Sequence, residues 1–476
     1  MKLKNLITTD NANLADAEIT GVTCNSAAVK PGYVFVCING TKTDGHKFAA
    51  DAVAKGAAAV VCEKDLKLEN QIIVKDTHEE YFNISAKWFS SPADKMKLIG
   101  VTGTNGKTSV TYMLKNILEA AGHKVGLIGT IQNIIGDEII PSKNTTPDAY
   151  ELNSLFSLMQ KSGCEYAVME VSSHALDQKR ICNVTFEAAM FTNLTQDHLD
   201  YHITMDNYFN AKKRLFNMCK CAIINFDDEY GKRLIEETQC EKITYSAISD
   251  AATYTAKEID YKPDGVKYQM VGYNFINRIT VGTGGKFTVY NSLCAAACAV
   301  HLGISPMVTA SALKNMHGVC GRAEVVPTGR DFTVVIDYAH TPDGLKNILN
   351  TFREYREHRL VVLFGCGGDR DKTKRHIMGE IAVSLADYVI ITSDNPRTED
   401  PTAIINDILV GVKGTRTPYK VIENRKKAIK FAIDNAQKND IIVLAGKGHE
   451  TYQILKDETI HFDEREVVAE ALKDLK

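Results

Sequence analysis

One short stretch, "LIGVTGTNGKTSVTYMLKNIL" at residues 98–118, constrains the fold more than any other part of the chain. An apolar run leads into a glycine-rich turn, and apolar residues at helical spacing follow it. Backbone N–H groups of such a turn and the helix N-terminus together form a cradle for phosphate. The stretch therefore predicts a strand, a phosphate-binding loop and a helix, with the loop formed by Gly103, Thr104, Asn105, Gly106, Lys107 and Thr108.

Length and composition limit the class of protein. A chain of 476 residues is too long for one hydrophobic core, so we expect several domains. The net charge of -3 gives no electrostatic case for a nucleic acid or an anionic membrane as a partner. No run approaches the ~18 apolar residues of a membrane span, and the N-terminal segment lacks the pattern of a signal peptide. We therefore expect a cytoplasmic protein.

The cysteines do not follow a metal-binding or disulfide pattern. The chain has 12 of them, scattered along its length, and no CxxC pair. Cys24, Cys37, Cys62 and Cys182 lie in or beside apolar runs, as small buried side chains do. We therefore expect free cysteines and no cysteine-ligated structural metal.

Three blocks differ in their hydrophobic pattern and predict an α/β protein of three domains. Residues 1–95 hold short apolar runs and end in a polar stretch around Pro92, which predicts a small N-terminal domain. Residues 96–322 alternate strands and helices, which predicts a P-loop ATPase-type domain with a mostly parallel sheet. Within it, the turn-rich region 240–290 predicts antiparallel strands. Residues 323–476 restart the alternation and predict a Rossmann-like domain.

Polar residues follow the apolar strands of the central block. Glu170 ends one strand, and Asn193, Asp197 and His198 come after the next. Because the carboxyl ends of parallel strands meet at one edge of a sheet, we expect these side chains to share a crevice. A carboxylate at such an end is a natural ligand of Mg²⁺.

The third block repeats this pattern with a different set of side chains. Two arginines, an asparagine and a glutamate follow separate strands of one predicted sheet. Arginine binds carboxylates through two parallel hydrogen bonds, and glutamate receives ammonium groups, so the set suits an amino-acid ligand. The residues alone thus predict a multi-domain nucleotide enzyme with Mg²⁺ and a carboxylate-bearing co-substrate, and they leave its reaction open. The set comprises Arg370, Asn395, Arg397 and Glu450.

Motifs along nearly the whole chain resemble the Mur ligases of bacterial cell-wall synthesis. The short G-T-x-G-K-T loop is the form that this family uses. The resemblance implies that the D-Glu carboxylate of UDP-MurNAc-L-Ala-D-Glu attacks the γ-phosphate of ATP. An amino acid then displaces phosphate from the acyl phosphate. The ordered motifs are "KPGYVFVCINGTKTDGHKF", "GTNGKT", "NTTPD", "MEVSSHAL", "FTNLTQDHLDYH", "YFNAKKRLF", "VYNSLCAA", "GVCGRAE", "DYAHTPDGL", "GCGGDRDKTKR", "DNPRTEDP" and "AGKGHETYQ".

The resemblance also assigns catalytic and nucleotide-binding residues. It implies that Lys107 acts with two Mg²⁺ ions, which Thr108, Glu170 and His198 surround. Lys212 matches a lysine that the family carbamylates to N6-carboxylysine, with the adjacent Lys213 as the alternative. The carbamate would be a further metal ligand. Besides the loop, the matched ATP contacts are Asn291, Arg322 and Asp337. The last two match contacts from the third domain, which implies that the domains close over the nucleotide.

Two further sets of residues match the other substrates. The tetrapeptide "DNPR" marks family members that add meso-diaminopimelate, whereas lysine-adding relatives carry another tetrapeptide. Arg397 would hold the second carboxylate of diaminopimelate, and lysine would leave this arginine buried and unpaired. The other matched contacts to the amino acid are Arg370, Asp394, Asn395, Gly446 and Glu450. The matched contacts to UDP-MurNAc-dipeptide are Ser26, Asp44, Gly45, His46, Thr145, Thr146, Ser172 and Arg180. The family often has an arginine directly after the serine that Ser26 matches, whereas this chain has Ala27 there.

Other functions remain as alternatives. A lysine-adding Mur ligase would share the fold and the reaction. A folylpolyglutamate synthetase would share the loop but lack the N-terminal block and "DNPR". A P-loop ATPase or a non-catalytic nucleotide-binding regulator would leave the polar set of the third block unexplained. The family further implies a monomer.

Overall fold

The computed structural model describes residues 1–9, 11–40, 43–262, 265–316 and 318–475, which form three successive α/β regions. This confirms the predicted three-part α/β architecture. Among the described residues no helix is both long and apolar enough to cross a membrane. The exact boundaries after residues 95 and 322 stay predictions.

The N-terminal region is built on a parallel sheet in the order β1-β2-β3-β4. Its strands are short because each apolar run is short, and β2 and β3 are almost entirely buried. The chain leaves the region through Ser90 and Ser91, whose φ angles of +64° and +49° turn it sharply before Pro92. The strands are β1 (Gly21–Thr23), β2 (Tyr33–Val36), β3 (Ala59–Cys62) and β4 (Gln71–Ile73). The helices are α1 (Ala12–Ala15), α2 (Ala49–Ala54) and α3 (Thr77–Trp88).

The central region holds a long mixed sheet in the order β15-β14-β13-β12-β11-β10-β5-β9-β6-β7-β8. Its strands are β5 (Lys97–Thr102), β6 (Val125–Ile128), β7 (Gln132–Ile135), β8 (Glu138–Pro141), β9 (Tyr166–Glu170), β10 (Phe186–Phe191), β11 (Cys219–Asn225), β12 (Glu241–Ser246), β13 (Tyr254–Lys262), β14 (Gly265–Gly272) and β15 (Phe275–Val281). Its helices are α4 (Lys107–Ala120), α5 (Ala149–Lys161), α6 (Ser173–Asp177), α7 (Leu199–His202), α8 (Met205–Lys213), α9 (Glu229–Glu237), α10 (Lys286–His301) and α11 (Pro306–Asn315).

Strand direction follows the connections within this sheet. β6, β9, β5, β10, β11, β12 and β13 run parallel, whereas β13, β14 and β15 pair antiparallel. The antiparallel prediction for residues 240–290 is therefore confirmed for β13–β15 and wrong for β12. Helix α9 carries the chain from the carboxyl end of β11 back to the edge at which β11 begins. Because β12 starts at that edge, it runs parallel to β11.

Both faces of the central strands are covered, which explains their continuous apolar runs. Helices α4, α10 and α11 pack on one face, and α5 and α8 pack on the other. Helix α10 is rich in alanine and cysteine and is buried on almost every side. Its small side chains allow it to lie close against α4 and the sheet.

The C-terminal region is a doubly wound sheet in the order β16-β17-β21-β18-β19-β20, parallel except for β16. Helices α12, α13 and α14 cover one face, and α15 and α16 cover the other. The strands are β16 (Glu324–Val326), β17 (Thr333–Asp337), β18 (Leu360–Phe364), β19 (Tyr388–Ile391), β20 (Tyr419–Val421), β21 (Ile441–Ala445), β22 (Tyr452–Ile454) and β23 (Thr459–His461). The helices are α12 (Pro342–Tyr355), α13 (Thr373–Leu385), α14 (Pro401–Val410), α15 (Arg425–Asp434) and α16 (Glu464–Asp474).

Candidate functional site

A cleft of about 410 Å³ lies where the carboxyl ends of the central and C-terminal parallel strands meet. Ligands bind at this edge of open α/β sheets. Most of the predicted nucleotide and amino-acid contacts line it together, although they come from distant parts of the chain. The nucleotide, metal and amino-acid residues that line the cleft are Thr104, Asn105, Gly106, Lys107, Thr108, Glu170, His198, Asn291, Arg322, Asp337, Arg370, Asp394, Asn395, Arg397, Gly446 and Glu450. Thr145 of the UDP-sugar set lines the cleft as well, whereas Gly103 and Lys212 are not among its lining residues.

The glycine-rich loop joins β5 to α4 and is held by residues that follow β10. The backbone N–H groups of Thr104 and Asn105 donate to the carbonyl and the side chain of Asn193, at 2.9 and 3.0 Å. Gly106 has a φ of +88°, and a β-carbon there would collide with the side chain of Asn291. Glycine at this position therefore permits both the turn and the close approach of α10.

Lys107 begins α4 and folds back over the loop. Its Nζ donates to the carbonyl oxygens of Gly103 and Thr104, both at 2.9 Å. Burial lowers the pKa of Lys107, and Arg322 lowers it further, whereas Glu170 opposes the shift. A cation held this way is ready to exchange the carbonyl contacts for phosphate oxygens.

Glu170 lies fully buried at the end of β9, next to the loop. Its carboxylate accepts hydrogen bonds from Thr108 Oγ1 at 3.1 Å, and from Thr130 N and Oγ1 at 2.8 and 2.9 Å. Arg322 in turn donates to Thr108 Oγ1 at 3.0 Å. Thr130 was missed by sequence reasoning, although it follows an apolar strand like the polar residues that were found.

His198 lines the same cleft as this carboxylate. Its Nε2 is 3.3 Å from the nearly buried carboxylate of Asp197. Burial in the cleft lowers the pKa of His198 to about 3, with help from His174 and against the pull of Asp197. The neutral imidazole can therefore ligate a metal ion.

Lys212 lies beneath the loop and is only 2% exposed. Its Nζ donates to Gly103 O at 2.8 Å and lies 4.6 Å from the centre of the Tyr208 ring. Burial holds the pKa of Lys212 well below its ordinary value, and the nearby Lys107 adds to the shift. Lys213 instead reaches the surface and pairs with Glu237 at 2.6 Å. The orientation of α8 thus favours Lys212 as the residue that serves the site.

Contacts between the two sheets close the cleft over the loop. Asn105 Nδ2 donates to Asp343 Oδ2 of α12 at 2.8 Å. The Arg322 guanidinium stacks on the Tyr338 ring at 4.7 Å. Burial raises the pKa of Asp337 to about 6, although Arg322 opposes the shift. Asp343 was missed because its partner lies 238 residues away in the chain.

A buried polar network lies at the C-terminal wall of the cleft. Asn395 Nδ2 donates to Glu450 Oε2 at 2.9 Å, and Lys447 Nζ donates to the same oxygen at 2.8 Å. Burial raises the pKa of Glu450 despite this lysine. Gly446 has a φ of +119° and lies against the carboxylate of Asp394, so no β-carbon fits between them. The network fixes Asn395 and Glu450 relative to each other.

The two arginines of this wall differ in exposure. Arg397 is half-buried rather than buried, and its Nη1 donates to Gly368 O at 2.8 Å. Its φ of +52° lies in the left-handed region, which is unusual for a residue with a side chain. Arg370 is exposed and bonds to the carbonyl of Asp369 at 3.0 Å. Both guanidinium groups retain donors for an incoming carboxylate.

The residues matched to the UDP-sugar substrate form two separate groups. Thr146, Ser172 and Arg180 cluster at the end of β9: Ser172 N and Arg180 Nη1 donate to Thr146 Oγ1 and O, both at 3.0 Å. Asp44 begins a 3₁₀ turn with Gly45 and lies 2.6 Å from the His46 ring. The residues of this set outside the cleft lining are Ser26, Asp44, Gly45, His46, Thr146, Ser172 and Arg180.

Comparisons with known proteins agree in family. The Mur ligase middle domain model matches residues 101–299, the glutamate ligase domain model matches 321–448 and the Mur ligase catalytic domain model matches 18–91. The UDP-N-acetylmuramoyl-L-alanyl-D-glutamate–2,6-diaminopimelate ligase of Caldanaerobacter subterraneus is 49% identical, with 96% of each chain covered. A protein of that name from Clostridium acetobutylicum is 47% identical over the full length of both. A solved structure of such a ligase is 32% identical over 99% of both chains, with a TM-score of 0.71.

Proposed function

Since this chain belongs to the Mur ligase family of ATP-dependent, amide-forming ligases, we propose that it joins meso-diaminopimelate to UDP-MurNAc-L-Ala-D-Glu. ATP is the energy source, and ADP and phosphate are released. The observation that carries the proposal is the shared cleft. The phosphate loop and the segment Asp394–Arg397 line the same space, so that a phosphoryl donor and an amino acid can meet there.

The reaction divides into two steps that need mainly positioning. The D-Glu carboxylate attacks the γ-phosphorus of ATP, and the bond to the β-phosphate oxygen breaks to release ADP. The amine of diaminopimelate then attacks the acyl carbonyl, loses a proton and expels phosphate. Holding both partners in one cleft makes each step effectively unimolecular. Lys107 and Arg322 supply positive charge where negative charge moves in the first step.

The buried polar groups of the cleft fit Mg²⁺. The Glu170 carboxylate and the Thr108 hydroxyl already contact each other, and hard oxygen donors are those that Mg²⁺ prefers. His198 would complete the set, with Lys212 as a further ligand after carbamylation. When bound, Mg²⁺ would neutralise phosphate charge and hold the β- and γ-phosphates for attack. The family implies two such ions.

Selection of the amino acid is assigned to the C-terminal wall. Diaminopimelate has a second carboxylate and ammonium at the end of its side chain, where lysine has an amine alone. Arg397 and Arg370 would bind the carboxylate, with Asn395 in support. Asp394, Glu450 and the Gly446 carbonyl would receive the ammonium. A site built for a polar group rejects an analogue without it by roughly 10⁴-fold.

The remaining residues are assigned to the UDP-sugar dipeptide. The N-terminal group Ser26, Asp44, Gly45 and His46 would bind the uridine end, and Thr145, Thr146, Ser172 and Arg180 would bind the sugar and peptide. Ala27 cannot supply the arginine contact that related proteins have there. We further propose that the protein acts as a cytoplasmic monomer.

The direct test compares amino acids as acceptors. We expect phosphate release from ATP in the presence of Mg²⁺, UDP-MurNAc-L-Ala-D-Glu and meso-diaminopimelate, with the tripeptide product identified by its mass. Release with L-lysine under matched conditions would keep the ligase and reject the assigned selectivity. Phosphate release that ignores the amine would favour a plain ATPase, and activity with folate substrates would favour the synthetase alternative.

The substitution Arg397→Ala should weaken use of diaminopimelate by about 2–4 kcal/mol, because a bound carboxylate would lose its charged partner. The measurement is the KM for diaminopimelate, with the KM for ATP as the internal reference. Arg330→Ala is the matched control, since Arg330 is an exposed arginine of the same region that contacts only Leu475 O among its described long-range partners. An unchanged KM for diaminopimelate in Arg397→Ala would reject the assignment.

A further inference from the structure

A second group of ligating side chains lies away from the cleft, on the central sheet. The Cys221 sulfur, a Glu241 carboxylate oxygen and a His301 ring nitrogen all lie within 4.8 Å of one another. Cys221 and Glu241 are direct partners on the parallel strands β11 and β12, so their side chains emerge on the same face. His301 is the last residue of α10, which packs on that face.

These three groups lack strong partners of their own. Among the described residues, the Glu241 carboxylate and the His301 ring make no side-chain hydrogen bond or ion pair, and the Cys221 thiol has a single long contact to Ala222 O at 3.9 Å. Cys221 is fully buried, Glu241 is exposed and His301 is intermediate. The cluster is therefore anchored at its base and open to solvent at one side.

We propose that Cys221, Glu241 and His301 bind a divalent cation of the zinc class. Thiolate and imidazole are the donors that Zn²⁺ prefers, and a carboxylate is a common third ligand. Solvent reaches the cluster beside Glu241, so water can fill the fourth position. Binding would displace the thiol proton to solvent. The negative end of the α10 dipole at His301 adds a favourable field for a cation.

The location argues for a structural role. Cys221 and Glu241 lie near the amino ends of their strands, whereas the cleft lies at the carboxyl ends. Asn291 of α10 lines the cleft, and the ten residues from there to His301 span about 15 Å of helix. The cation would join β11, β12 and α10 near the amino ends of the strands, at the edge of the sheet away from the cleft. Basal ligase activity should therefore survive its loss.

The spacing of these residues explains why no sequence motif reveals them. The end of β11 and helix α9 separate Glu241 from Cys221, and His301 comes after three more strands at the end of α10. The expectation of no cysteine-ligated structural metal depends on the lack of closely spaced cysteine pairs, and these three donors are far apart in the sequence. The sheet register and the end of α10 bring the donors together.

The test measures zinc retention by the intact chain, purified without a histidine tag and kept reduced. After chelator treatment, Zn²⁺ is added, unbound metal is removed by desalting, and bound metal is measured by mass spectrometry. We expect stoichiometric zinc in the unmodified chain and a raised thermal midpoint. His301→Gln and Cys221→Ser should each lower affinity by more than the roughly 10- to 100-fold that loss of an outer-shell partner costs.

Two controls locate the ion. His461→Gln alters an exposed histidine elsewhere and should retain zinc. Added Co²⁺ should give a thiolate charge-transfer band that Cys221→Ser abolishes. If Cys221→Ser fails to fold, His301→Gln still decides, because its site is at a partly exposed helix end. Zinc retention unchanged in His301→Gln would place the ion elsewhere, for example at the histidines of the cleft, and would overturn the proposal, as would an absence of retained zinc.

Discussion

Replacing Lys107 with methionine is expected to lower kcat by about 10²- to 10³-fold, the cost of removing one preorganised group that stabilises transition-state charge. Lys107 Nζ already donates to the carbonyl oxygens of Gly103 and Thr104, in the loop that would bind the phosphates. Phosphoryl transfer requires little covalent help from a protein, so its rate depends heavily on such charges. Methionine keeps the length of the side chain and removes only the ammonium.

The measurement is the rate of phosphate release at saturating ATP, diaminopimelate and UDP-sugar dipeptide. The KM for diaminopimelate should change little, since that substrate is assigned to the opposite wall. Lys115→Met is the matched control, because Lys115 lies on the same helix and pairs with Glu119 at 2.7 Å outside the cleft. A kcat within twofold of the unmodified enzyme for Lys107→Met would remove Lys107 from the mechanism.

The parallel core and the loop were predictable because local patterns specify them. A glycine-rich turn between an apolar strand and a helix has few structural solutions, and continuous apolar strands require helices on both faces. The same rule that pointed to Glu170, a polar residue at the end of a strand, applies equally to Thr130. Strand direction was less accessible. The hydrophobic pattern of a strand does not depend on its direction in the sheet. The prediction that β12 is antiparallel therefore had no support from the side at which the crossover helix returns.

Contacts between distant segments could not be read from the sequence. Two examples are the hydrogen bond from Asn105 to Asp343 and the hydrogen bond from Lys447 to the Glu450 carboxylate. Both depend on how whole helices and strands pack. Burial was similarly misjudged for Arg397, which is half-exposed at the mouth of the cleft. Side-chain type thus predicted which chemical groups are present, whereas the three-dimensional fold decides which of them lie in one site.

The choice between Lys212 and Lys213 depends on how helix α8 packs, because both lysines lie within the same motif, "YFNAKKRLF". Replacement of Lys212 with methionine is expected to lower kcat by at least about 10²-fold, comparable with the loss of another key electrostatic group. Burial lowers the pKa of Lys212 and so favours the free amine, which can add CO₂ and release a proton to give a carbamate beside Lys107 and the assigned metal ligands. Lys213→Met should stay near full activity, since Lys213 pairs with Glu237 on the surface.

A spectroscopic measurement separates carbamylation from a merely structural role for Lys212. With ¹³C-labelled bicarbonate, the unmodified chain and Lys213→Met should both show a carbamate carbon resonance, and Lys212→Met should not. Circular dichroism would check that each variant is folded, because Lys212 also bonds to Gly103 O. An active enzyme without the resonance would contradict the carbamate, and Gly103 would then be the partner that explains why a lysine is buried beneath the phosphate loop.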